Sequence, residues 1–141
     1  MEKYLYFRVG TATASEDDEA TGSNLYPVSH FMGATSGTAD ANGAVTDDDN
    51  AISLYLKPIR RIPGEIEGAA GDGDPDVIVL ACAQYGQRQL IKDLIAKING
   101  GPHDDNFITL FDGYVDKPAS APKSDVGATG LTIVAAQVAA D

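Results

Sequence analysis

Apolar positions follow two different periods along this chain, and the change from one to the other falls within residues 76–99. Asp76-Val-Ile-Val-Leu-Ala-Cys-Ala83 is a continuous apolar run of strand length, with β-favouring Val77, Ile78 and Val79. Leu90, Ile91, Leu94, Ile95 and Ile98 then recur at spacings that place all five on one helical face. The pattern predicts a strand followed by a helix over about 87–98. Asn99-Gly100-Gly101-Pro102 is expected to stop that helix, since glycine tolerates a left-handed cap and Pro102 cannot continue the ladder.

Elsewhere the period is two. Lys3-Tyr4-Leu5-Tyr6-Phe7-Arg8-Val9 predicts an opening strand with Leu5, Phe7 and Val9 on one face and Tyr4, Tyr6 and Arg8 on the other. Leu25–Gly33 predicts a second strand, with Pro27 confined to its start or to a sheet edge. Residues 34–50 predict a loop or loose hairpin closing near Asn42-Gly43. Ala51–Ile59 predicts a strand with Ile52, Leu54 and Leu56 inward. Phe107–Phe111, apolar on both sides, predicts an interior strand. Lys117-Pro118-Ala-Ser-Ala-Pro122 predicts an extended connector, and Leu131–Ala139 a last strand returning to the sheet. The expected fold is α+β: one domain over residues 1–141, about six strands in a mainly antiparallel sheet or sandwich, with the single helix packed on it.

Charge narrows the partners. Twenty-one acidic and ten basic residues give a formal charge of −11. Binding to phosphate backbones or anionic membranes rests on Lys and Arg, so neither nucleic acid nor membrane is an expected partner. The densest basic spot is Lys57 with Arg60 and Arg61, suited to pairing with a neighbour's acidic loops. One cysteine cannot form an internal bridge, and Cys82 sits in the most apolar run, as a small buried hydrophobe would. The first residues carry no apolar leader and no window has the roughly 20 apolar residues of a membrane span. The expectation is a chain made in the cytosol that leaves, if at all, by a route other than secretion.

Catalytic chemistry has little to rest on. The sequence holds no G-x-S-x-G elbow, H-E-x-x-H, paired CxxC or phosphate-binding G-x-x-x-x-G-K-[ST]. His30 and His103 lie in separate segments. His103 stands beside Asp104 and Asp105, but adjacent side chains in a turn seldom converge on one ion. Asp72-Gly-Asp74-Pro-Asp76 opens like a calcium loop, yet Val77 and Ala83 occupy the positions that need Gly and a bidentate Glu. No enzyme, cofactor or metal is expected from these patterns. The alternative is a calcium-dependent module for glycans or host surfaces, using the acidic loops Glu16–Glu19, Asp47–Asp49 and Asp72–Asp76.

Lys3-Tyr-Leu-Tyr-Phe-Arg8 at the start and Ile98-Asn-Gly-Gly-Pro-His-Asp-Asp-Asn-Phe107 later resemble a type of small acidic virion protein of tailed phages that infect marine cyanobacteria. The resemblance spans the chain in outline and is specific at those two stretches, neither of which carries catalytic residues. It implies a structural role in the virion, as capsid decoration or another minor virion component. The expected function is accordingly a decoration or cement subunit, working as a homo-oligomer and bound to a capsid or other virion protein. The candidate contact residues are Tyr4, Tyr6 and Arg8 of the opening strand, Arg60 and Arg61 of the basic spot, and Lys117 and Pro118 of the connector.

Overall fold

The computed structural model describes residues 3–8, 23–39, 44–58, 75–100, 106–113 and 124–135. Among these, β1 (Tyr4–Arg8), β2 (Ser23–Pro27) and β8 (Phe107–Asp112) form a three-stranded sheet in the order β2-β1-β8. A second sheet has the order β3-β6-β7-β9, built from β3 (Phe31–Ser36), β6 (Ala51–Leu56), β7 (Asp76–Ala81) and β9 (Gly130–Ala135). A short hairpin joins β4 (Thr38–Ala39) to β5 (Val45–Thr46), and α1 spans Gln87–Ile98. The fold is α+β, as the periodicity predicts, and the described residues hold one α-helix and nine strands where about six strands are expected. Every strand pairing is antiparallel except β1 with β8.

The register explains which side chains meet. Ile52 lies opposite Leu80, Leu54 opposite Ile78 and Leu56 opposite Asp76, so these six share one face of the larger sheet. That face joins Leu5 and Phe7 of β1, Tyr26 of β2, Ile108 and Leu110 of β8, and Leu90 and Leu94 of α1 in a single buried cluster. Each fully buried Leu, Ile or Phe there contributes about 2 kcal/mol. The opposite face of β6 and β7 buries Ala51, Val77 and Val79 with Ala39 of the hairpin. Burial on both faces is why β7 reads as an unbroken apolar run. The hairpin is pinned by Ser53, whose hydroxyl accepts from the Ala39 N–H at 2.9 Å and donates to the Gly37 carbonyl at 2.8 Å. Gly37 has a φ of 103°, and a Cβ there would lie 2.6 Å from the Thr46 carbonyl oxygen, so no other residue fits.

Three expectations are corrected. The segment Leu25–Gly33 is not one strand: β2 ends at Pro27, a 3-10 turn spans Val28–His30, and β3 begins at Phe31 in the other sheet. Pro27 has no N–H to donate, which suits the end of an edge strand. β8 is an edge strand, with β1 in the interior position. Ile95 is exposed, so the buried stripe of α1 is narrower than the apolar spacing suggests. The helix ends at Ile98 as expected, with Asn99 as its cap at a φ of −93°, while Gly101 and Pro102 lie outside the described residues. The Lys3 ammonium donates to the carbonyls of Lys97 at 2.6 Å and Gly100 at 3.3 Å, placing a positive charge at the negative end of the helix dipole.

Candidate functional site

β1 alternates, so its inward residues Leu5 and Phe7 send Tyr4, Tyr6 and Arg8 to the outer face of the three-stranded sheet. Pairing extends that face in three rows. Pro27, Tyr4 and Phe107 form one, Leu25, Tyr6 and Thr109 the next, and Ser23, Arg8 and Asp112 the last. Leu25 is 41% exposed, Tyr4 39% and Phe107 42%, and the Tyr6 and Phe107 rings lie 5.0 Å apart between centroids. The result is an aromatic and aliphatic surface carried on hydrogen-bonded strands.

Its one charged row is internally neutralised. Arg8 Nε donates to Asp112 Oδ1 at 2.9 Å and a terminal nitrogen to Oδ2 at 3.0 Å, a bidentate pair across two strands. Arg8 is thus committed to its own sheet and lends the surface shape more than charge. The outer edge of β8 is clasped by Asp125: its carboxylate accepts from the Thr109 N–H and its own N–H donates to the Thr109 carbonyl, each at 2.8 Å. This clasp satisfies an edge that would otherwise accept a foreign strand.

The other sequence candidates sort by position. Arg60, Arg61, Lys117 and Pro118 lie outside the described residues, as do Glu16–Glu19, Asp72, Asp74 and His103–Asp105. His30 is half-buried and its Nδ1 donates to the Lys57 carbonyl at 3.0 Å. Cys82 is buried and its thiol is pushed up, first by that burial and then by the charge of Asp48. Asp48 and Asp49 are taken up in local bonds: Thr38 Oγ1 and the Asn50 N–H donate to Asp48, and Gln84 Nε2 to Asp49. No group of three or more potential metal ligands occurs among the described residues. No described helix is long and apolar enough to cross a membrane.

One buried polar pair stands inside the core. Tyr26 reaches from the smaller sheet and donates its hydroxyl to Asp76 Oδ2 of the larger one at 2.7 Å. Burial pushes the Tyr26 hydroxyl far above the ordinary tyrosine range, and the hydrogen bond to Asp76 and its charge push it further. Both residues are shut off from solvent, so the pair fastens one sheet to the other and offers nothing to a substrate.

Two surface features were not legible beforehand. Phe107 and Leu25 join Tyr4 and Tyr6 only through pairing between distant segments. Tyr85, in the turn between β7 and α1, is 77% exposed and has a φ of 59°, and no residue type in its neighbourhood signals either property. No known protein family matches the chain, and neither does any curated protein or solved structure.

Proposed function

We propose that this chain is a non-enzymatic virion subunit, a capsid decoration or cement protein that works in a homo-oligomer and docks on the capsid lattice. The observation that carries the reading is the outer face of the three-stranded sheet: Leu25, Tyr4, Tyr6 and Phe107 in adjoining rows, bordered by a self-neutralised Arg8–Asp112 pair. Aromatic side chains are enriched, and unpaired charges depleted, at the centres of protein interfaces. Mounting them on paired strands limits the ordering entropy of binding. The net charge of −11 supports the same reading, because it discourages non-specific association with nucleic acid and membranes.

Co-sedimentation with phage heads lacking the protein tests this. Saturable binding at a fixed number of copies per head is expected. Leu25→Asp with Phe107→Asp should lose it while keeping the wild-type circular dichroism spectrum, because both side chains are already exposed. Arg60→Glu with Arg61→Glu tests the basic spot in the same assay. A folded wild-type protein that stays in the supernatant would refute the reading.

A further inference from the structure

The turn between β7 and α1 breaks several local rules at once. Tyr85 is the one non-glycine residue with a positive φ among the described residues. A bulky side chain rarely adopts that conformation, and the residue there is usually glycine or asparagine. At 77% exposure the ring also gains no internal packing in exchange. Helix α1 begins at this point without a side-chain cap and without an acidic residue in its first turn.

The strained turn is nonetheless held on every side. The Tyr85 N–H donates to the Asp49 carbonyl at 2.6 Å and the Gly86 N–H to the Ala83 carbonyl at 2.8 Å. Gln84 Nε2 reaches Asp49 Oδ2 at 2.7 Å, and Gln87 Nε2 reaches the Asp48 carbonyl at 3.0 Å. At Gly86 a Cβ would lie 2.9 Å from the Ala83 carbonyl oxygen, so the shape of the turn is specific. A backbone held this firmly in an unfavourable conformation marks a position kept for something outside the fold. What it presents is a rigid aromatic ring, a side chain with only two torsions to fix on binding.

The surroundings indicate what the ring meets. Asp47, Asp48 and Asp49 are all exposed on the segment that clamps the turn, and Arg88 is exposed in the first turn of α1. We propose that Tyr85 is a recognition side chain that inserts into an apolar pocket of the lattice protein, one rimmed by Lys or Arg complementary to Asp47–Asp49. The inference rests on the lattice-docking reading and adds a second contact, separate from the face of the smaller sheet.

The test is quantitative co-sedimentation with heads lacking the protein, at low and high salt, alongside urea unfolding. The proteins are wild type, Tyr85→Gly, Tyr85→Phe, Asp47→Lys and the sheet-face variant Leu25→Asp. Tyr85→Gly should unfold at higher urea yet bind at least tenfold more weakly, a combination that a structural tyrosine would not produce. Tyr85→Phe should bind within about twofold of wild type, since the ring fills the pocket. Asp47→Lys should weaken binding several-fold and flatten its salt dependence. Tyr85→Gly binding as tightly as wild type, while Leu25→Asp does not bind, would overturn this inference and leave the lattice reading standing. Wild-type protein that never sediments overturns both. A fall in the Tyr85→Gly urea midpoint, or wild-type binding unchanged by salt, also overturns the proposal.

Discussion

Replacing Tyr26 with Phe removes one oxygen and leaves the buried ring, including its stacking on Phe7 at 6.2 Å between centroids. What is lost is a 2.7 Å hydrogen bond to a buried carboxylate that links the two sheets. Hydrogen bonds to charged groups contribute about 1.5–3 kcal/mol, and a buried acceptor left behind places the loss at the upper end. For a chain of this length the melting temperature should fall by roughly 8–10 °C. A second signature comes from pH. The Tyr26 hydroxyl is raised from its ordinary value of 10.0, so the unfolded state releases that proton first as pH rises. The contribution is therefore complete below about pH 10 and is lost above it, at up to about 1.4 kcal/mol per pH unit. Tyr26→Phe has no such proton to lose. Urea unfolding followed by circular dichroism at pH 7, 9 and 11 should show a stability gap that is constant to pH 9. By pH 11 it should narrow by about 1.4 kcal/mol. The raised Cys82 thiol adds alkaline sensitivity above its ordinary value of 9.0, equally in both proteins, and cancels in the difference. A gap below about 0.5 kcal/mol at pH 7, or one that widens with pH, would refute the assignment of Tyr26 as the fastening between sheets.

Three further outcomes are expected. Leu94→Ala, at a buried position of α1, should cost about 2–5 kcal/mol in urea unfolding, whereas Ile95→Ala on the exposed side should stay within about 1 kcal/mol. Tyr85→Gly should stabilise by about 0.5–1 kcal/mol, the relief of a left-handed conformation less the added freedom of glycine in the unfolded chain. Thermal melts in calcium and in chelator should coincide. The calcium-dependent alternative instead predicts a gain of about 2.7 kcal/mol at a hundred times the dissociation constant.

The parts of the fold visible in the sequence are those where one local period runs undisturbed. The α1 boundaries and the inward faces of β1 and β6 follow from spacing alone, because each buries a regular stripe in one core. The 3-10 turn at Val28–His30 was hidden because Pro27 reads equally as the start of a strand, and the chain changes sheets without a glycine to mark the corner. β8 looked interior because Phe107 and Ile108 are both apolar, but Phe107 faces the exposed outer surface and only Ile108 the core. The helix end carried the expected glycines, yet its carbonyls are served by Lys3, 94 residues away from Lys97. The candidate site was half visible. Tyr4, Tyr6 and Arg8 share a face by alternation, while Leu25 and Phe107 join them through a register no single segment encodes. The Arg8–Asp112 pair and the left-handed turn at Tyr85 likewise depend on contacts between distant segments.

The position of β1 has a consequence for the order in which the protein forms. Among the described strands, β1 comes first in sequence yet lies in the middle of its sheet, and its parallel partner comes last of the three: Arg8 waits for Asp112, 104 residues on. At about 5–20 residues per second of synthesis, Leu5 and Phe7 spend roughly 5–20 s without β8 beside them. Such long-range pairing also makes closure of that sheet slow relative to local elements such as α1. A chain interrupted before residue 107 holds at most the two-stranded part of the sheet and lacks Phe107 from its outer surface. Only copies synthesised through β8 display all three rows, so the shape of that surface records that synthesis has passed Asp112.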